Sequence, residues 1–125
     1  MNGLKSSLSE VDKVVSELEN FPYTADCLIC PPSTLVVPMS DRAGARLKVG
    51  AQSCHPEKFG AFTGDLSAEQ LQDAGASHVI VGHSERRSIY GESDEFTASK
   101  FAAARKAGLS KVPVVVKEVA DADLL

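Results

Sequence analysis

The sequence lacks the long apolar runs, the excess of basic residues and the paired cysteines that would each indicate a particular class of protein. No segment comes near the roughly 20 consecutive apolar residues that span a bilayer, and the first residues do not follow the basic-then-apolar order of a secretory signal. The formal charge of -4 argues against nucleic acid or an anionic membrane as a partner. Three cysteines, an odd number, fit a reducing cytosol better than a disulfide scaffold. We therefore expect a cytoplasmic globular protein.

Two of the cysteines have the C-x-x-C spacing that is also found in redox and zinc sites, at residues 27–30. The pair lies inside an apolar run rather than at a turn that opens a helix. This position favours buried strand thiols over a redox or metal role. The rest of the composition, with 43% hydrophobic and 24% charged residues, is that of an ordinary soluble chain.

Hydrophobic periodicity predicts strands that alternate with helices, and hence parallel βαβ units. The predicted strands are 27–30, 47–51, 78–81 and 112–116, and the clear helices are 8–18, 68–74 and 94–107. Ser7 and Glu10 have the spacing of a capping box at the first helix, and Ser67 and Ser93 are the expected caps of the other two. Between 34 and 47 the helical signal is weak, because Pro38 and Gly44 interrupt it.

The most informative segment is VIVGHSERR at 79–87, followed by YGESDE at 90–95. An apolar strand stops at Gly82, which permits a tight turn, and His83 follows at once with a dense charge cluster behind it. In α/β folds, active sites are built at the carboxyl ends of parallel strands. His83 is therefore a candidate catalytic residue, and Ser84 and Glu85 are placed to open a short helix whose backbone amides face its ring.

This segment closely resembles the fourth-strand signature of the triosephosphate isomerase family. VGAQSC at 49–54, GAFTGDLS at 60–67, CPPSTL at 30–35 and MNG at 1–3 are similar to other parts of the same family, so the resemblance covers residues 1–108 and leaves 109–125 unmatched. A (β/α)8 barrel takes about 250 residues, and this chain has 125. The resemblance implies one partial barrel domain, 1–125, with the first strand absent, units two to four present, and part of unit five.

The resemblance also implies a chemistry, the interconversion of glyceraldehyde 3-phosphate and dihydroxyacetone phosphate in glycolysis and gluconeogenesis, through an enediolate and without cofactor or metal. In triosephosphate isomerases themselves, a glutamate is the base and a neutral histidine is the electrophile. His83 matches that histidine. Glu85 matches a glutamate that supports the catalytic lysine. The lysine and the glutamate base have no match in this chain, so we expect the chain alone to be inactive.

The loop at 53–67 corresponds to the family loop that docks into a partner subunit, which implies a homodimer for the full-length family. Thr63, flanked by Phe62 and Gly64, matches the threonine near its tip, whereas Ser53 stands where the family usually has asparagine. Two other interpretations stay open: a non-catalytic α/β interaction module that retains this loop, and one half of a split enzyme. The charged residues that follow His83 are expected to form a structural ion-pair network; they are Arg86, Arg87, Glu92 and Asp94.

Overall fold

Four parallel strands form one sheet, in which each strand pairs with the next one along the chain. A computed structural model of the chain describes residues 1–22 and 24–113, the last two for their backbone only. The strands are β1 (Cys27–Ile29), β2 (Leu47–Ala51), β3 (His78–Val81) and β4 (Ser110–Pro113). The helices are α1 (Leu8–Glu19), α2 (Val36–Arg42), α3 (Ala68–Asp73), α4 (Ser84–Ser88) and α5 (Asp94–Lys106). Short 3-10 turns at Lys5–Ser7 and Ser33–Leu35 precede α1 and α2.

The order of the strands distinguishes between the two common parallel folds. A doubly wound sheet reverses its strand order at a switch point, whereas here the order β1-β2-β3-β4 advances in one direction. Helices link all successive strands, as in the wall of a (β/α)8 barrel. The prediction of a partial barrel built from parallel βα units is confirmed.

The core lies between the sheet and the helices, and alternation along the strands decides which residues enter it. In β2, Leu47 and Val49 are buried, while Lys48 between them is exposed. Val79 of β3 and Leu109, just before β4, are among the most deeply buried side chains. The helices contribute further members of the cluster, which are Leu8, Val11, Val36, Met39, Leu71 and Ala104.

The weak helical signal between 34 and 47 is a single helix, α2, and the two interrupting residues mark its limits. Pro38 is its third residue, where the backbone amide would have no partner within the helix in any case. Gly44 follows the C-cap residue Ala43 with φ +65°, a left-handed conformation that glycine adopts at little cost. Both residues therefore fit a helix of seven residues.

Three local predictions need correction. Ser7 does not form the predicted capping box with Glu10, because its Oγ accepts a hydrogen bond from the amide of Leu4 in the preceding turn. The first strand is short and half-buried rather than fully buried, because β1 is the edge of the described sheet. The last strand begins at Ser110 rather than Val112, and residues 114–116 of the prediction lie outside the described residues. Among the residues described, no helix is long and apolar enough to cross a membrane.

Candidate active site

His83 lies at the carboxyl end of β3, where Gly82 turns the chain with φ +78°. It is the N-cap residue of α4, and its carbonyl accepts the backbone amides of Arg86 at 3.0 Å and Arg87 at 3.2 Å. These bonds fix the backbone that follows His83. The sequence pattern had predicted both the position at the strand end and the short helix that follows.

The hydrogen bond of the imidazole determines its tautomer. Nδ1 of His83 accepts the backbone N–H of Glu85 at 3.2 Å, so this nitrogen bears no proton and Nε2 is the N–H donor. The side chain is 36% exposed, so it is held by the backbone and still open on one side. A neutral ring with a free N–H can polarise a carbonyl oxygen without transferring a full charge.

Glu85 contributes its backbone more directly than its carboxylate. The carboxylate is 71% exposed, and its Oε2 lies 3.8 Å from Nδ1 of His83. An ion pair at that distance would need a proton on Nδ1, where the amide of Glu85 already donates. The amide bond is the shorter and better defined of the two contacts, and it leaves the carboxylate free to face solvent or a ligand.

A buried ion cluster lies behind the His83 segment and is centred on Glu92 of the segment that joins α4 to α5. Its Oε1 accepts hydrogen bonds from Arg86 Nε at 2.8 Å and from Lys100 Nζ at 2.5 Å. Lys100 is only 3% exposed, and its ammonium also donates to Ser53 Oγ at 2.9 Å. The other carboxylate oxygen of Glu92 is buried and has no hydrogen-bond partner among the described residues.

The charges of this cluster shift the ionisation of its neighbours. Burial alone would raise the pKa of Glu92, but hydrogen bonds from Lys100 and Arg86, together with their charges, lower that pKa below its ordinary value. The pKa of the nearby Cys54 thiol is raised, mainly by burial. Glu92 is therefore the ionised centre of the cluster, and Cys54 is a packed thiol rather than a reactive one.

A second ion pair ties α4 to α5. Arg87 contacts the Asp94 carboxylate and also donates to Thr97 Oγ1 at 3.2 Å. Arg86 lies over the Tyr90 ring, 4.4 Å from its centroid. All four charged residues that the sequence marked as structural therefore have partners in this region.

The loop after β2 has a defined shape. The His55 amide donates to the Leu66 carbonyl at 2.8 Å and closes the base of the loop. Near the tip the Phe62 ring packs on the His55 imidazole, with centroids 4.0 Å apart, and stays 42% exposed. Thr63 and Gly64 are exposed, and apart from the two chain neighbours of Gly64 no described residue has an atom within 4 Å of the position that a Cβ on Gly64 would occupy. All three residues of the predicted interface are thus accessible.

A cleft of about 640 Å³ separates this loop from the segment that follows α4. Gly64 lines one side, Tyr90 and Glu92 line another, and Lys100 lies at its wall. His83 and Glu85 do not line it. The loop tip and the ion cluster therefore line the same cleft, and His83 lies outside it.

Sequence reasoning missed Lys100 and His55. Lys100 lies four residues before the fully buried Ala104 on α5, so a signal existed: a lysine at a position where helical spacing demands an apolar residue. His55 gave no comparable signal. Its packing against Phe62 involves a partner seven positions away in an irregular loop, which periodicity does not reveal.

Parallel βα units in sequential order, with helices linking successive strands, define part of a (β/α) barrel. The family model for triosephosphate isomerase matches residues 1–122, so the similarity extends past residue 108, where the sequence motifs had placed its end. The chain belongs to the triosephosphate isomerase family, which is a family of isomerases.

Individual relatives agree with this assignment and show how much of the family the chain spans. The chain is 44% identical to the triosephosphate isomerase of Bradyrhizobium diazoefficiens, over 98% of this chain and 49% of that protein. It is 46% identical to that of Hyphomonas neptunium, over 97% and 49%. A crystal structure of triosephosphate isomerase from Bartonella henselae superimposes with a TM-score of 0.82 at 42% identity, covering 90% of this chain and 46% of that one. The chain spans about half the length of the curated relatives it matches.

Proposed function

We propose that this chain supplies the electrophilic half of a triose-phosphate isomerase active site. His83 donates a hydrogen bond from Nε2 to the substrate oxygens while an enediolate forms between glyceraldehyde 3-phosphate and dihydroxyacetone phosphate. The observation that carries the proposal is the amide of Glu85 on Nδ1, 3.2 Å away, because it leaves Nε2 as the donor. A preorganised donor of this kind stabilises charge as it develops in the transition state.

Glu85 has a supporting role in this proposal. Its exposed carboxylate is free to pair with a cation, in agreement with the family glutamate that supports the catalytic lysine. The lysine and the base of the family match no residue of this chain. The remainder of the reaction, proton abstraction and phosphate binding, must then come from residues that these 125 do not include. We expect no turnover from the chain alone.

The activity test uses the chain joined to the missing units. The chain alone, and the chain joined to or co-expressed with the complementary βα units of a relative, are compared in a coupled triose-phosphate assay. The complemented protein should turn over, and His83→Gln should lower turnover by roughly 10²-fold or more, the scale for removing one preorganised donor. His78→Gln is the matched control, because His78 lies at the opposite end of β3 and bonds Ser77. Equal effects of the two substitutions would refute the role given to His83.

We also propose that the loop at 53–67 docks into a second subunit through Phe62, Thr63 and Gly64. Support comes from its closed base and from the exposure of its tip, since a preformed loop loses little entropy on binding. Thr63→Arg in the complemented protein should shift the dimer toward monomer in sedimentation velocity. Lys58→Arg, at an exposed position of the same loop, is the control. A dimer unaffected by Thr63→Arg would contradict the docking role and leave the proposal for His83 intact.

A further inference from the structure

The ammonium of Lys100 is bonded to two segments that are distant in sequence and that both belong to the candidate site. It donates to Ser53 Oγ, 47 residues away, at 2.9 Å, and to Glu92 Oε1, eight residues away, at 2.5 Å. Ser53 is at the base of the docking loop, and Glu92 ends the segment that contains His83. One buried nitrogen therefore joins the loop to the His83 segment.

Three further bonds continue from Glu92 to His83. Arg86 Nε donates to Glu92 Oε1 at 2.8 Å, and the Glu92 amide donates to the Arg86 carbonyl at 3.2 Å. The Arg86 amide in turn donates to the His83 carbonyl at 3.0 Å. A displacement of Glu92 would therefore move the first turn of α4, whose Glu85 amide determines the tautomer of the imidazole.

Among these contacts, the position of the Glu92 carboxylate depends most on the charge of Lys100. Glu92 is buried, and one of its oxygens has no partner within the described part of the chain, so the carboxylate depends on its two cations. Arg86 is partly exposed and packs on Tyr90, whereas Lys100 is almost fully enclosed. Removing the ammonium would leave a buried carboxylate with a single, partly hydrated partner. A buried charge with so little compensation is destabilising, so we expect the Glu92 side chain to move.

We infer that Lys100 is a positioning residue, which holds the base of the docking loop and the His83 segment in one arrangement. It acts through Glu92 and Arg86 and does not touch the substrate. The inference rests on the proposed function only for the role given to His83, and it is tested by measurements that need no turnover.

The test uses NMR of the 125-residue chain with ¹⁵N-labelled histidine, in which the two imidazole shifts distinguish the neutral tautomers. Lys100→Met should broaden or average the His83 tautomer signals and shift the backbone amides of the loop base. Ser53→Ala should shift only the loop amides, and Glu92→Gln should change only the His83 signals. Lys106→Met, an exposed lysine of the same helix, should change neither. Circular dichroism checks that helix content is retained.

Two results would overturn the inference. One is a Lys100→Met chain whose His83 tautomer and loop amides match the unsubstituted chain. The other is a Ser53→Ala chain whose His83 signals change as much as those of Lys100→Met, because the linkage would then run through packing rather than through the ammonium.

If Lys100→Met does not fold, a double-mutant cycle tests the linkage through the Lys100 ammonium instead. Ser53 and Glu92 bond the same nitrogen, so Ser53→Ala and Glu92→Gln should be non-additive by roughly twofold or more in the unfolding equilibrium constant. Additive effects would refute the linkage.

Discussion

Replacing Glu92 by glutamine should lower stability at neutral pH and also change how stability depends on pH. Glutamine has nearly the same volume, so the packing around the side chain is retained and the charge is the main change. Glu92 accepts two hydrogen bonds from cations, Arg86 at 2.8 Å and Lys100 at 2.5 Å. The substitution leaves Lys100 buried with no anion beside it.

The size of the effect follows from those two bonds. A hydrogen bond to a charged group contributes about 1.5–3 kcal/mol, and a neutral one about 0.5–1.5 kcal/mol. Weakening two such bonds should cost about 2–3 kcal/mol in the free energy of unfolding. Since whole domains are stable by only about 5–15 kcal/mol, a loss of this size is easily measured.

The pH dependence follows from the lowered pKa of Glu92 in the folded chain. The unfolded chain binds a proton at this carboxyl more readily, at an ordinary pKa of about 4.3. The stability that Glu92 contributes is therefore fully present above that value and is lost as the pH falls through the folded pKa. At low pH the protonated glutamic acid resembles glutamine, so the difference between the two proteins should shrink.

The assay is urea unfolding followed by circular dichroism, between pH 7 and pH 3.5. Glu95→Gln is the matched control, because Glu95 is an exposed residue of α5, and it should change stability by no more than about 0.5 kcal/mol. A Glu92→Gln difference that stays constant across this pH range would show that Glu92 is not the linked group. A difference no larger than that of Glu95→Gln would refute the energetic argument.

Three other substitutions test the local structure. Ser67→Ala should cost about 1 kcal/mol in a thermal melt, because Ser67 Oγ caps α3 by accepting the amide of Gln70 at 3.1 Å. Gly75→Ala should destabilise by more than about 1 kcal/mol, since φ is +110° and the added Cβ would lie 2.1 Å from Ser40 Oγ; a neutral melt would show that the turn relaxes freely. Leu109→Ala should cost about 2–5 kcal/mol in urea, because Leu109 is almost fully buried, and a smaller loss would mean that the core collapses around the gap.

The parts of the site that the sequence predicted are those that depend on neighbouring residues. The end of β3, the glycine turn and the amide facing the imidazole all lie within 78–87, so their order in the chain is enough to predict them. The helix at 36–42 shows the limit of the same method. Propensity alone identifies Pro38 and Gly44 as interruptions, because it does not state where in a helix a residue falls.

The parts that could not be predicted depend on long-range pairing. Lys100 meets Ser53 from 47 positions away, and the burial that joins them exists only once α5 packs on the sheet. Ser7 shows a similar competition between local partners. Its hydroxyl could cap α1 or bond the preceding turn, and it accepts the Leu4 amide of that turn. Local pattern indicates which groups are available, and tertiary packing decides how they pair.

Part of a barrel can retain those features of the site that depend on local hydrogen bonds. The bonds that set the His83 tautomer and backbone span only two to four residues, so they require no strand of the barrel beyond β3 once α4 is held in place. A base and a cation from distant strands have no such local support, because their approach to the substrate depends on closure of the whole barrel. The electrophile of the proposed site is therefore its most autonomous part. Its imidazole geometry should persist in this chain even where turnover does not, provided that Lys100 keeps the segment behind it in place.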